Sequence, residues 1–190
     1  MIKAYLAGPD VFMPNAVEHA RRKIEICARY GLVGLAPLNE DADPTDHSAT
    51  TIEWTDIFDK DIAMMEASDI IIANLTPFRG ASADAGTLVE IGWFLGRGKP
   101  IFGYSNSGRM FDHRSREQTS IIPDPVPSLS VEGFDLPDNL MIVGAVHQGG
   151  EAIFLPEHGK DDPFDALDAF ERCVRAAATK LRTPDNSASG

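Results

Sequence analysis

The fold is decided by the stretch Asp69-Ile-Ile-Ile-Ala-Asn-Leu-Thr-Pro-Phe-Arg-Gly-Ala-Ser-Ala-Asp-Ala-Gly-Thr-Leu-Val-Glu-Ile-Gly-Trp93. Residues 70–73 are a short apolar run rich in β-branched side chains, which is typical of a strand buried on both faces of a parallel sheet. After Thr76-Pro77 the chain leaves that strand. Asp84 can then cap a helix, in which apolar residues recur at helical spacing as far as Leu95. A strand, a loop and a helix start follow one another, and ligands of open α/β sheets bind in such a crevice.

Two carboxylates stand at this crevice, Asp84 at the helix mouth and Glu90 six residues later. Six residues turn a helix by about 600°, so two helical residues at this spacing lie roughly 120° apart. We therefore place Asp84 just outside the first turn, where its side chain can point across the cleft. Glu90 is flanked by Gly86 and Gly92, which allow close approach of a ligand. The pattern leaves open the alternative that Asp84 only caps the helix and Glu90 only faces solvent.

Length and composition predict one domain over residues 1–182 of the 190 and a flexible polar tail over residues 183–190. No apolar run approaches the roughly 20 residues of a membrane span, and the N-terminus lacks the regions of a signal peptide. We therefore expect a soluble cytoplasmic protein without a membrane partner. The net charge of −12 argues against nucleic acid as a partner, because that binding relies on clustered Lys and Arg. Cys27 and Cys173 are isolated in helix-like segments, which predicts buried thiols.

The chain begins with a predicted strand, Ile2 to Ala7, which the turn at Gly8-Pro9 ends. That turn presents Asp10, Val11 and Phe12 at the carboxyl edge of the sheet. A dinucleotide-binding turn would need three glycines at fixed spacing, and this turn has one. A helix is predicted from Ala16 to Tyr30, followed by a strand from Leu32 to Leu38. The helix should turn one apolar side to the core, formed by Val17, Ala20, Ile24 and Cys27 or Ala28.

The segment from Asn39 to Thr51 is rich in Asp, Pro, Thr and Ser and is predicted to be a long loop, either a lid over the cleft or a solvated turn. A helix is predicted from Thr51 to Ala67. It carries Asp56, Asp59 and Asp61, and the pattern alone does not single out one of the three.

The C-terminal half is predicted to hold a strand at Lys99–Tyr104, an irregular stretch at Ser105–Pro137, a fifth strand at Leu140–Val143 and a closing helix at Phe164–Leu181. Strands that alternate with helices predict an α/β fold, here a single-domain, doubly wound, parallel five-stranded sheet. We predict the flavodoxin-like strand order 2-1-3-4-5.

Four separated blocks of the chain resemble the nucleoside 2-deoxyribosyltransferase family and occur in the order of that family. They are Ala7-Gly-Pro-Asp-Val-Phe12, Pro77-Phe-Arg-Gly80, Asp84-Ala-Gly-Thr-Leu-Val-Glu-Ile-Gly92 and Val131-Glu-Gly-Phe-Asp-Leu-Pro-Asp-Asn-Leu-Met141. The resemblance implies a glycosyltransferase of nucleotide salvage that moves 2-deoxyribose between nucleobases through a covalent glycosyl-enzyme. It implies 2′-deoxynucleosides and free nucleobases as small-molecule partners, and no metal or organic cofactor.

The resemblance also implies roles for individual residues. Glu90 occupies the position of the nucleophile, Asp84 that of the group contacting the sugar 5′-hydroxyl, and Asp61 that of the acid facing the base. Asn139 matches a residue that family members insert into the neighbouring subunit's site, which implies a homo-oligomer, dimer-based and up to a hexamer, with shared sites. The remaining substrate-binding residues implied by the resemblance are Tyr5, Gly8, Asp10, Phe12 and Gly86.

The chemistry agrees with these roles. Deoxyribosyl transfer passes through an oxocarbenium-like state, which an ionised Glu90 can stabilise and trap. The departing base leaves more readily when Asp61 protonates it. One rival is an N-hydrolase of 2′-deoxynucleoside 5′-monophosphates, although a fixed carboxylate at Asp84 would repel a phosphate. Another is a sensor domain that binds nucleoside derivatives without turnover.

Overall fold

The computed structural model describes residues 1–38, 53–126, 128–149 and 151–182. In chain order the elements are β1 (Lys3–Ala7), a short 3-10 helix (Pro9–Phe12), α1 (Ala16–Arg29), β2 (Val33–Leu35), α2 (Trp54–Glu66), β3 (Ile70–Asn74), α3 (Ala85–Gly96), β4 (Ile101–Tyr104), α4 (Phe111–Ile121), α5 (Leu140–Gln148) and α6 (Asp168–Arg182). The predicted loop at 39–51 and the predicted tail at 183–190 lie outside the described residues.

The sheet is parallel and has four strands in the order β2-β1-β3-β4, which confirms the α/β class and the order of these four strands. The predicted fifth strand at Leu140–Val143 is wrong, because these residues begin α5. Asn139 caps that helix by accepting a hydrogen bond from the Met141 backbone N–H at 3.0 Å. The place beside β4 is taken by Phe154, which makes a single parallel bridge with Tyr104. Phe154 donates to the Gly103 carbonyl and accepts from the Ser105 N–H.

Helices cover both faces of the sheet, as the doubly wound prediction requires. One face packs against α1 and α6, whose core residues include Ile26, Phe170 and Val174. The other face packs against α3 and α5, with Phe94 and Val146 in its core, and receives Met65 from α2. Because side chains alternate along β1, Leu6 joins the first core and Tyr5 joins the second. Tyr5 therefore lies on the face covered by α3.

The inner side of α1 differs from the predicted one. Ala20 and Cys27 are buried, but Val17 and Ile24 are exposed, and the core side is completed by His19, Lys23 and Ile26. A charged residue thus takes one of the core positions of α1, where Lys23 Nζ pairs with the buried Asp10 carboxylate. The predicted buried thiols, Cys27 and Cys173, are confirmed.

The stretch at 105–137, predicted to be irregular, contains α4. The closing helix begins at Asp168, four residues later than predicted, and turns Phe170, Val174 and Ala177 to the core. Among the described residues, no helix has both the length and the apolar character that crossing a membrane requires.

Candidate active site

A hydrogen bond between β1 and α3 forms the centre of the site. The phenol oxygen of Tyr5 donates to Glu90 Oε1 at 2.6 Å, across 85 positions of sequence. Tyr5 is fully buried and packs against Phe94 of α3, with ring centroids 6.1 Å apart. Glu90 is half-buried. The alternative in which Glu90 only faces solvent is therefore wrong, because its carboxylate accepts a hydrogen bond from the buried Tyr5.

Burial raises the pKa of Glu90 from its ordinary 4.5 to about 7. The hydrogen bond from Tyr5 opposes that rise, whereas the negative charges of Asp61 and Asp84 add to it. At neutral pH the carboxylate therefore populates both its ionised and its protonated form. A carboxyl group poised in this way is typical of sites that do chemistry.

The Tyr5 hydroxyl remains a hydrogen-bond donor throughout the working pH range. Burial, and then the adjacent Glu90 carboxylate, raise its pKa well above the ordinary value of 10.0. A permanently protonated phenol fixes one oxygen of Glu90 and leaves the other free to face a ligand.

Asp61 is distinguished from its two neighbours on α2 by burial. It is half-buried, while Asp56 and Asp59 are exposed. Burial raises the pKa of Asp61, and its charge contributes to the raised pKa values of both Tyr5 and Glu90. The structure thus brings this carboxyl group within electrostatic reach of Glu90, and its predicted role as the acid facing the base stays a prediction.

Asp84 caps α3, as predicted. Its backbone is extended, with φ −61° and ψ 134°, and its carboxylate accepts from the Thr87 backbone N–H at 3.1 Å. A Cβ at Gly86 would lie 3.0 Å from Asp84 Oδ2, so the glycine leaves room for this carboxylate. Asp84 lies six residues before Glu90, about 1.7 helix turns, and its negative charge contributes to the raised pKa of Glu90.

The turn after β1 is tightly packed. Gly8 has φ 152°, and a Cβ there would come within 2.7 Å of Asn74 Cβ. Asp10 is buried; its carboxylate accepts from Lys23 Nζ at 2.5 Å and from Asn74 Nδ2 at 2.7 Å. His19 Nε2 lies 3.7 Å from the same carboxylate. The Asp10 side chain is thus engaged by protein groups, and its predicted contact with substrate stays a prediction.

Phe12 offers an aromatic surface at the carboxyl edge of the sheet. The residue is 58% exposed, and its ring stacks on Phe78, with centroids 5.4 Å apart and planes 9° from parallel. The Arg79 guanidinium lies 4.7 Å from the Phe78 ring centre and 5.2 Å from that of Phe12. Residues after β1 and β3 therefore build one surface, of the kind on which a planar base can stack.

Asn139 stands apart from these carboxylates. Its amide donates to Glu132 Oε1 at 2.6 Å and lines a surface cleft of about 500 Å³ together with Phe111 and Leu129. Within the described part of a single chain it makes no hydrogen bond to Glu90 or Asp84. Its predicted role in a neighbouring site stays a prediction.

The structure thus brings together Tyr5, Asp61, Asp84 and Glu90. Sequence patterns did not point to Lys23 or to Asp138, a buried carboxylate before α5. The signal for Lys23 was its place between Ala20 and Cys27 on the core side of α1. Among the residues that the structure describes, no group of three or more His, Cys, Asp or Glu side chains could hold a metal ion.

The family model described as nucleoside 2-deoxyribosyltransferase matches residues 4–141. An uncharacterised protein of Schizosaccharomyces pombe is 36% identical over 113 residues, which are 59% of this chain and 54% of that protein. The chain therefore spans about half the length of this curated relative.

Two solved structures have the same fold. One, titled a 2-desoxiribosyltransferase from Leishmania mexicana, is 31% identical, with a TM-score of 0.60 over 92% of this chain and 97% of that chain. The other, a conserved protein from Enterococcus faecalis, is 19% identical, with a TM-score of 0.56 over 93% of this chain and 99% of that chain. At that identity the second structure informs the fold alone.

Proposed function

We propose that this chain, which belongs to the nucleoside 2-deoxyribosyltransferase family, transfers 2-deoxyribose from a 2′-deoxynucleoside to a free nucleobase. The observation that carries the proposal is the half-buried Glu90 carboxylate, held by Tyr5 and with a pKa of about 7. A carboxylate whose pKa is raised by burial is still partly ionised at neutral pH and is poorly solvated. Both properties suit an attack on carbon.

The reaction is a double displacement. In the first step the ionised Glu90 attacks the anomeric carbon; a carbon–oxygen ester bond forms while the bond to the base nitrogen breaks, and the base takes a proton from Asp61. In the second step a nitrogen of the incoming base attacks the same carbon, releases Glu90 and returns a proton to Asp61. Two inversions give retention of configuration. Water can replace the second base, which gives free deoxyribose as a side product.

Burial supports the role of Asp61 as the proton donor. It raises the pKa of this carboxyl group, whereas Asp56 and Asp59 on the same helix are exposed. A general acid works best when its pKa approaches the working pH.

At the other end of the sugar we assign Asp84 to the 5′-hydroxyl, with Asn139 supplied by a neighbouring subunit of a homo-oligomer. The Asn139 amide would then exchange its contact with Glu132 for one with the neighbour's substrate. The assignment of Asp84 also separates this proposal from hydrolysis of 5′-monophosphates, since its carboxylate opposes a phosphate group. Free 2′-deoxynucleosides are therefore the preferred donors.

The first experiment incubates the protein with a 2′-deoxynucleoside and a different free base and follows both nucleosides by chromatography. We expect the exchanged nucleoside, with slower release of free deoxyribose. Release of sugar phosphate from monophosphates alone would establish the hydrolase instead. Binding of nucleosides without any turnover would establish the sensor.

The second experiment locates the nucleophile. Glu90→Ala should lower exchange by several orders of magnitude, because the covalent route is lost. Glu53→Ala is the matched control, since Glu53 is exposed and its side chain makes no cap hydrogen bond on α2. Mass spectrometry of the wild-type protein with donor should show a sugar adduct on the Glu90 peptide. An adduct on Asp61 or Asp84 would contradict the assigned roles.

A further inference from the structure

A single buried carboxylate joins the starts of α3 and α5. Asp138 is 2% exposed, and its Oδ1 accepts from the Ser82 hydroxyl at 2.5 Å and from the Asn139 backbone N–H at 2.8 Å. Its Oδ2 accepts from the Ala83 backbone N–H at 3.1 Å. Ser82 and Ala83 directly precede Asp84, the cap of α3, and Asp138 directly precedes Asn139, the cap of α5.

A buried arginine reinforces this junction. Arg114 of α4 is 8% exposed and donates to the Ala81 carbonyl at 2.8 Å and to the Pro137 carbonyl at 2.7 Å. Its Nη2 also lies 3.9 Å from Asp138 Oδ2. The guanidinium therefore binds the backbone on both sides of the junction and supplies a positive charge beside the buried carboxylate.

Both carboxylate oxygens of Asp138 must accept hydrogen bonds, because the groups that contact them are donors. A carboxylate accepts hydrogen bonds only, whereas an amide would present an NH₂ group to at least one of the three donors. Burial raises the pKa of Asp138, while the hydrogen bonds from Ser82, Asn139 and Ala83 and the charge of Arg114 lower it. Asp138→Asn therefore changes the shape of the side chain little. It disrupts the hydrogen bonds at one of the two oxygens, because an NH₂ group there cannot accept them.

We propose that Asp138 is a positioning residue for recognition of the sugar 5′-hydroxyl, because it fixes the caps Asp84 and Asn139 relative to each other. This inference rests on the proposed function, which assigns both caps to that hydroxyl. Asp138 fixes the position of Asp84 in the active site of its own chain. It also fixes Asn139, which serves the site of the neighbouring subunit if it extends there. Displacements of about 1 Å can cost about 100-fold in rate, so the precision of such a junction matters.

The test is a cycle of two proteins and two substrates. Wild type and Asp138→Asn are each assayed for exchange with a 2′-deoxynucleoside and with the 2′,5′-dideoxynucleoside of the same base. The variant should lose about 10- to 100-fold in kcat/KM with the first substrate and less than about 3-fold with the second. The analogue lacks the hydroxyl that the caps recognise, so it cannot report their misplacement. Asp135→Asn is the matched control, since Asp135 is exposed in the same segment.

Ser82→Ala is the second variant, because it removes one donor and leaves the carboxylate in place. It should show the same selective loss, smaller in size, even if Asp138→Asn fails to fold. Equal losses with both substrates in a folded variant would overturn the positioning role, as would a wild type that does not distinguish the substrates. Absence of exchange by the wild type with either substrate would instead refute the proposed function.

Discussion

Replacing Glu90 by Gln should stabilise the fold at pH 8 while it abolishes exchange. Burial raises the pKa of Glu90 from 4.5 to about 7, so the ionised form is less favourable in the folded chain than in the unfolded chain. Gln keeps the shape and can still accept the hydrogen bond from Tyr5, but it never ionises. The variant therefore removes the destabilising charge and little else.

The sign and size follow from proton linkage. Between pH 4.5 and about 7 the folded state binds more protons at Glu90 than the unfolded state, so stability falls as pH rises through this window. At about 1.4 kcal/mol for each pKa unit, the full effect is about 3 kcal/mol. Glu90 is only half-buried, and screening by water reduces this to about 1–3 kcal/mol. For a chain of this size that corresponds to a Tm about 2 to 12 °C higher than in the wild type.

The measurement is thermal unfolding of wild type and Glu90→Gln at pH 5 and at pH 8. The difference in Tm should be small at pH 5 and should reach its full size at pH 8. Glu53→Gln serves as the control, because that side chain is exposed, and its difference from wild type should not depend on pH. A Gln variant no more stable than wild type at pH 8, or equally stabilised at pH 5, would refute the burial of an ionisable carboxylate.

Three further outcomes are expected. Tyr5→Phe removes the hydrogen bond that lowers the Glu90 pKa, so the acid limb of the kcat/KM profile should move to higher pH by about 1–2 units; an unmoved limb contradicts this coupling. Lys23→Met should cost about 3–5 kcal/mol in urea unfolding because it leaves Asp10 buried without its cation, and adding Asp10→Leu should restore part of the loss. Mixing inactive Glu90→Ala with inactive Asn139→Ala subunits should restore some exchange; no rescue in a mixture shown to exchange subunits would place Asn139 outside its neighbour's site.

Local patterns were sufficient where one residue or one period dominates. The apolar run at 70–73 gave β3, and Asp84 marked the start of α3. The strand prediction at Leu140–Val143 was wrong because a short apolar run fits a strand and a buried helix equally well. The distinguishing signal was Asn139 as an N-cap. In α4 the sequence is polar almost throughout, so a helix period could not be recognised there.

Long-range partners could not be predicted from pattern. The Tyr5–Glu90 contact joins residues 85 positions apart, and only the family resemblance suggested that both belong to one site. The Asp138–Ser82 contact spans 56 positions, and no local feature marks either residue. Lys23 occupies a core position because its partner Asp10, 13 residues away, is held in place by the turn after β1.

Phe154 has a consequence for how copies of this chain can associate. It lies on the outer side of β4, where its backbone hydrogen-bonds to the Gly103 carbonyl and the Ser105 N–H. These two groups are therefore not available to another strand. An unpaired strand at the edge of a sheet is a template for strand addition and aggregation. Another chain cannot add a strand at this edge without first displacing Phe154. Copies of this chain that meet at this edge with Phe154 in place therefore keep their sheets separate at β4.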